Sequence, residues 1–409
     1  MDLSRTVVVL LAGGKGQRLE PLTRDRAKPA VPFGGIYRII DFTLSNCLNS
    51  MLKKILVLVQ YRSRSLNSHI RDGWSVNFNA ALSEFVETLP PQFSSGEQWY
   101  VGTADAVHQN LFAIEEENPE SVLILAGDHI YKMDYRHMLR LHEDRGADLT
   151  VGAVEVPRSE AHNFGILQVD EQGRIVGFQE KPKDGKPVPG NPDLCLASMG
   201  IYVFRPQVMS RVLAEDARDA KSSHDFGKDI IPKLVDTGKV FAFSFIDENR
   251  KEAKYWRDVG TIEAYYAANL DLVGVTPLLN LYDQSWPIRT VPVVGPPPKF
   301  VFAQQDQPGG RMGMALDSLV SPGCIVSGGR VQNSILSPYV RINSYSQVAD
   351  SILFENVNVG RRAKIQRAII DKDVEIPEGM EIGFDPVEDA RRFLVTESGI
   401  TVISKGTVI

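Results

Sequence analysis

Apolar and polar positions alternate between two textures over the first ~275 residues. The stretches TVVVLL (6–11), KILVLV (54–59), VLILAG (122–127), LTVGAV (149–154) and SMGIYVF (198–204) are β-rich, several apolar throughout. Such runs suit strands buried on both faces of a mostly parallel sheet. Between them, TADAVHQNLFAIEEEN (103–118) and DYRHMLRLHEDRGA (134–147) carry helical patterns. The alternation predicts an α/β domain over 1–275. Residues 276–300 are rich in proline, including Pro296–Pro298, and read as a linker. Beyond it, over 301–409, a six-residue rhythm begins. Leu336, Ile342, Val348 and Phe354 are each six apart; Val359 and Ile365 follow after a one-residue slip; Ile370, Ile376 and Ile382 then resume it. An apolar residue at every sixth position of short β runs predicts a parallel β-helix, with each coil stacking on the next. Chance spacing in a β-sandwich is the alternative.

Composition changes this picture little. The chain has 409 residues and a formal net charge of −6, which argues against general nucleic-acid binding. Cys47, Cys195 and Cys324 lie far apart with no CxxC, as expected of reduced thiols in a cytoplasmic protein. No apolar run is long enough to span a bilayer, and the N-terminus lacks the pattern of a leader peptide.

The first strand runs into LLAGGKGQRLEPLTRDRAKPAVPFGG. A glycine-rich turn after a strand can present backbone N–H groups to phosphate oxygens. It is not a P-loop, because Lys15 stands between Gly14 and Gly16 with no Ser or Thr following. Nor is it the dinucleotide fingerprint, since Leu19 stands where a third glycine belongs. It adds two cations, Arg18 and Lys28, one suited to bidentate grip and one to a point charge. A solvated surface turn is the alternative. Asp128 ends an apolar strand in VLILAGDH, where a carboxylate faces the ligand crevice of an α/β sheet, although a helix cap or Asx-turn has the same signature. Asp258 stands in YWRDVGT, where it either joins Asp128 on a hard cation or pairs with Arg257.

The stretch LAGGKGQRLEPLTRDRAKPAVPFGGIYRIIDFTLSN resembles the sugar-nucleotide pyrophosphorylases, in particular their bacterial ADP-glucose-forming branch. The likeness continues through QWYVGTADAVHQN, AGDHIYKMDY, FGILQVD, FQEKP, LASMGIYVF, SSHDFGKDIIP, YWRDVGTIEAYYAANLDL, SWPIRT, IPEGMEIG and EDARRF, almost end to end. The resemblance implies a nucleotidyltransferase domain with a mixed, mainly parallel, Rossmann-like sheet, and a C-terminal left-handed parallel β-helix serving regulation and assembly. It implies synthesis of ADP-glucose and diphosphate from ATP and α-D-glucose 1-phosphate with Mg²⁺, the first committed step of glycogen synthesis. It places Gly13, Gly14, Gly16, Arg18 and Lys28 at the nucleotide, and makes Arg18, Lys28 and Asp128 catalytic. Asp128 and Asp258 would hold the metal. Tyr100, Gly165, Glu180, Lys181 and Ser198 would bind glucose 1-phosphate, and Gln60 and Trp99 would link regulatory and substrate sites. For Gly165 the absent side chain would permit close backbone approach. Glu180 and Lys181 would otherwise be a surface pair before a proline turn, and Tyr100 and Ser198 satisfied core groups.

The family is typically a homotetramer controlled by anionic effectors, with no nucleic-acid or membrane partner. Arg24, Arg26, Arg38, Arg361, Arg362, Arg391 and Arg392 are the effector candidates, against the commoner fate of solvated arginines. Asp25 and Pro32 depart from relatives that carry Lys and His, which leaves the activator open. His137 and His142 are off the zinc-pair spacing and read as solvated, as does the acidic run at 115–118. Adjacent Ser223, His224 and Asp225 do not suit a hydrolase triad. Three other functions compete with ADP-glucose synthesis. A pyrophosphorylase for another base or sugar would share the phosphate chemistry. A non-catalytic regulatory subunit would be expected to lose charges that are present here. An acyltransferase would want a histidine in the coils, and 301–409 has none.

Overall fold

The computed structural model describes residues 2–92, 99–247, 252–304 and 306–409. The N-terminal domain is built on a nine-stranded mixed sheet. Its parallel centre orders Ser121–Ala126, Thr6–Leu11, Lys54–Leu58 and Phe85–Leu89 side by side. Val7 to Leu10 and Val122 to Leu125 have no exposed surface, because helices cover both faces of these strands. The long strand Leu194–Phe204 pairs antiparallel with Ser121–Ala126 and also with Gly165–Val169 and Leu149–Pro157, which makes the sheet mixed.

Local chemistry modifies two sequence expectations. The helical pattern at 103–118 splits into Thr103–Gln109 and Leu111–Glu116. Asn110 stands at the break, where its side-chain amide donates to Ala106 O (2.8 Å) and Tyr100 Oη (2.9 Å). His142 is buried rather than solvated. It lies on the inner face of helix Tyr135–Asp144, with Nδ1 2.9 Å from Thr150 Oγ1. His137 on the same helix is largely exposed.

The C-terminal domain is a parallel β-helix of three short-stranded sheets. One ladder, Leu336↔Leu353 and Leu353↔Ile370, gives the length of a coil as 17 residues. The interior positions are Leu336, Ile342, Val348, Leu353, Val359, Ile365, Ile370, Ile376 and Ile382, so the spacing runs 6, 6, 5 and repeats. Counting six from Val348 therefore misplaces one residue. Leu353 fills the coil interior, while Phe354 lies just past the strand and packs into a different core. That core is shared between domains. Leu19, Leu22, Val31, Phe33, Ile39, Phe42 and Tyr265 meet Ile335, Ile352, Phe354, Ile369, Ile400 and Val402 across it. Residues 274–298 form no helix or strand, yet they are pinned along helix Ile39–Asn49. Trp286 Nε1 donates to Asn46 Oδ1 (2.9 Å), and Arg289 bonds Ser45 through its backbone N–H and Asn49 through its guanidinium.

All three cysteines are buried free thiols, and no helix among the described residues is long and apolar enough to cross a membrane. Burial, with Arg205 nearby, depresses the His142 pKa to about 4. The unfolded chain, with a histidine pKa near 6.5, therefore takes up this proton first. Stability from neutral His142 is present above pH ~6.5 and is lost as pH falls towards 4, by up to about 3 kcal/mol. Urea unfolding at pH 7 and pH 4.5 should show that His142→Gln loses part of the parent's acid sensitivity; equal slopes would refute this account.

Candidate active site

The parallel strands all deliver their carboxyl ends to one edge, where α/β sheets bind ligands. Thr6–Leu11 leads into the glycine loop, Lys54–Leu58 into Gln60, and Ser121–Ala126 into Asp128. Asp258 arrives from a separate short strand, Trp256–Asp258, which pairs antiparallel with His129–Tyr131. Register puts Asp258 opposite His129. That pairing brings together two aspartates 130 positions apart in the chain.

Lys28 joins them. Its ammonium donates to Asp128 Oδ2 at 2.7 Å and to Asp258 Oδ1 at 3.3 Å, and its side chain is 9% exposed. Burial works against the lysine's charge, but the two carboxylates outweigh it and raise its pKa. Asp128 responds in the opposite sense: burial opposes its ionisation, and Lys28 and His129 overcome this to hold it at about 2. Arg257 is not the partner of Asp258; its guanidinium approaches Asp271 at 3.5 Å. Ligand atoms of Asp128, His129 and Asp258 lie within 4.8 Å of one another. His129 Nδ1 and Trp256 Nε1 are buried without a hydrogen-bond partner. Two carboxylate oxygens with an imidazole nitrogen beside them form a donor set that fits a divalent cation.

Two cavities meet at this point and share Leu11, Thr103, Ala126 and Asp225 in their walls. The larger, about 830 Å³, is lined by Gly13, Gly14, Lys28, Gln60, Trp99, Tyr100 and Asp128 among others. Gly16 lies just behind this wall at φ +64°, and a β-carbon there would stand 3.1 Å from Lys28 Cβ. Arg18 is exposed; its Nη2 and the Asp258 carboxylate flank Gly260. Gln60 clasps Tyr100 through its carboxamide, accepting from the Tyr100 N–H at 3.0 Å. Trp99 is half exposed and stacks on Tyr61 at 5.5 Å between ring centres.

The smaller cavity, about 220 Å³, is lined by Gly165, Glu180, Ser198 and Asp258, with His129 and Trp256 on its wall. Burial, with Asp225 beside it, raises the Glu180 pKa against the pull of Lys181. Tyr100 lines the larger cavity rather than this one. Lys181 stands outside both walls, exposed, with Nζ 3.7 Å from Glu180 Oε1. The space at Gly165 is claimed from within the protein: a β-carbon would lie 2.4 Å from Phe178 Cζ and 3.1 Å from Glu180 Oε2. Asp225, in the walls of both cavities, carries no motif that marks it as a site residue. It caps the helical turn Phe226–Ile230 through Gly227 N and accepts from Thr103 Oγ1, at the junction of the cavities. Its only sequence signal is the HD pair in SSHDFGKD, which does not point to a ligand site.

The effector candidates do not gather into one cluster. Arg26 is buried against Asp371, Arg362 pairs with Glu378, and Arg391 and Arg392 both reach Glu388. Arg24 pairs with Asp25 and donates to Lys405 O. Arg38 alone among them lines an interdomain cavity of about 310 Å³, with His69, Tyr339 and Lys372.

A strand-end glycine loop, a lysine and paired aspartates at the edge of this sheet define a nucleotidyl transferase. A nucleotidyl transferase family profile matches residues 7–274, and a GlmU-like C-terminal hexapeptide profile matches 296–403. Glucose-1-phosphate adenylyltransferase of Rhodopirellula baltica is 57% identical over 408 residues, covering 100% of this chain and 91% of that protein. The Koribacter versatilis protein of that name is 58% identical over 98% of this chain and 95% of its own length. Glucose-1-phosphate adenylyltransferase 2 of Vibrio cholerae is 50% identical, covering 97% of each. The chain belongs to the glucose-1-phosphate adenylyltransferase family.

Gly165→Ala should force Phe178 and Glu180 apart at a cost of about 1–3 kcal/mol. Thermal melting should register that loss; an unchanged melting temperature would mean the strand pair yields freely.

Proposed function

We propose that this chain makes ADP-glucose and diphosphate from ATP and α-D-glucose 1-phosphate. The observation that carries this reading is the meeting of a nucleotide-sized cavity and a sugar-sized cavity at Asp128, Asp258 and Lys28. ATP takes the larger cavity, its phosphates against Gly13 and Gly14, with Gly16 shaping the loop behind them. Glucose 1-phosphate takes the smaller one. Glu180 and Ser198 accept or donate hydrogen bonds to sugar hydroxyls, and Lys181 reaches in from the rim to the phosphate.

A phosphate oxygen of the sugar attacks the α-phosphorus in line. The bond from that phosphorus to the bridging oxygen of the β-phosphate breaks, and diphosphate leaves with the electron pair. The attacking phosphate is already anionic at neutral pH, so no general base is needed. Catalysis then consists of positioning and of offsetting like charge. Lys28 and Arg18 neutralise the departing diphosphate. Asp128 and Asp258 would hold Mg²⁺, with His129 beside them; bound there, the metal would supply Lewis-acid stabilisation of phosphoryl charge. Gln60 and Trp99, around Tyr100 and Tyr61, couple the nucleotide wall to the rest of the domain. We further propose a cytoplasmic homotetramer responsive to anionic effectors, for which the cavity of Arg38 and Lys372 is the supporting feature. Domain boundaries near 275 and 300 accord with the pinned segment between the two folds.

Diphosphate release with glucose 1-phosphate and Mg²⁺ should occur with ATP and be much weaker with UTP, GTP or dTTP. Preference for another nucleotide would keep the chemistry and overturn the product. Asp128→Asn should lower turnover by roughly 10²–10³-fold. Lys28 keeps Asp258 as a partner in that variant, so the fold should survive; near-parental turnover would remove Asp128 from the reaction. Lys181→Ala should raise the KM for glucose 1-phosphate roughly tenfold, the loss of a charge-assisted hydrogen bond. A defect confined to ATP would reverse the assignment of the cavities.

A further inference from the structure

The segment that carries Lys28 is held from two sides. Towards the glycine loop, Thr23 Oγ1 donates to Gly16 O at 2.9 Å, and Arg62 donates to Thr23 O at 3.1 Å. Towards the β-helix, Arg26 makes a two-pronged contact with Asp371, Nη1 to Oδ2 at 2.9 Å and Nη2 to Oδ1 at 3.0 Å. These side chains are 6% and 2% exposed. Arg26 Nη1 also donates to Leu22 O at 3.2 Å, and so closes the loop on itself. Lys28 follows two residues later.

Asp371 has a defined place in the coil. It is the residue after Ile370, as Phe354 follows Leu353 and Ser337 follows Leu336, one coil apart in the same ladder. The backbone N–H groups of Ser337, Phe354 and Asp371 each donate to the next coil, to Leu353 O, Ile370 O and Ile403 O. This column faces the catalytic domain. Phe354 meets it with apolar surface, and Asp371 meets it with charge. A planar guanidinium against a carboxylate fixes orientation as well as distance. Its burial means that losing one partner strands the other's charge.

We propose that Asp371 is a positioning residue for adenylyl transfer. Through Arg26 it sets segment 20–31, and thereby the place of the Lys28 ammonium between Asp128 and Asp258. The proposal rests on the reading of Lys28 given above. It makes the β-helix part of the machinery that aligns the phosphates, and it removes Arg26 from the residues free to receive an effector.

The test compares the full-length parent with Asp371→Asn and with the paired variant Arg26→Met, Asp371→Leu. Asp371→Asn keeps the shape and leaves the guanidinium without a counter-charge. The paired variant removes both charges, so its melting temperature should recover most of what the single variant loses. A purely structural ion pair would then recover turnover as well. The positioning role predicts that turnover stays down by roughly 10–100-fold in the stable paired variant. The KM for ATP should rise and the KM for glucose 1-phosphate should stay near the parent's. Parental turnover in the paired variant overturns the proposal, as does an equal rise in both KM values. If Asp371→Asn does not fold, the paired variant decides alone; if that too fails to fold, the pair is structural and the proposal falls. A parent that releases no diphosphate would sink the reading of the site itself, a result distinct from an active parent with an equally active paired variant.

Discussion

Two carboxylates facing one crevice repel each other, and a cation between them offsets that repulsion. Lys28 is that cation, at 2.7 Å from Asp128 and 3.3 Å from Asp258. The three residues come from three separate places: a loop after the first strand, the end of the neighbouring parallel strand, and a short antiparallel ribbon beside it. Strand pairing brings the two aspartates together, and the charge they share with Lys28 closes the site. The charge balance also sets protonation, with the lysine held above its ordinary pKa and Asp128 held at about 2. Lys28 and Asp128 are therefore held as a charged pair at neutral pH.

That requirement propagates outwards. A buried ammonium on a mobile loop would find its carboxylates only part of the time. Here the loop is clamped by Thr23 to Gly16 and by Arg26 to Asp371, and its apolar residues Leu19, Leu22 and Val31 enter the core shared with the β-helix. The second domain thus floors the loop of the first. The segment between the domains bridges both folds: Trp286 and Arg289 pin it to helix Ile39–Asn49, and Pro296 O accepts from Gly323 N of the β-helix.

The sequence disclosed most where burial is uniform. The runs at 7–11, 55–59 and 122–127 are apolar throughout, and all three lie in inner strands of the sheet. The glycine loop and both aspartates were legible because strand ends and motif spacing are local signals. Several features were not. Asn110 breaks a helix that periodicity alone runs straight through, because its amide prefers Ala106 O and Tyr100. His142 lies on the buried face of its helix, where spacing for a metal pair was the wrong question. Phe354 was misplaced because a coil of 17 does not divide by six; two steps of six must be followed by one of five. The ion pair of Arg26 and Asp371 spans 345 positions and carries no local signature.

What each of these contacts contributes to the domain interface follows from their magnitudes. Burying a side chain such as Phe354 or Ile352 is worth about 1.5–3 kcal/mol, and the shared core contains many such residues. The ion pair gains little net, since desolvating two charges offsets most of their attraction. The apolar core therefore holds the domains together. It is also tolerant, because oily surfaces can slide and repack with small loss. A buried guanidinium and carboxylate cannot slide, since a displacement of even one bond length leaves charge unpaired in a dry environment. Adhesion and alignment are thus divided between two kinds of contact at one interface. The core makes the β-helix stay, and Asp371 decides where the loop bearing Lys28 comes to rest.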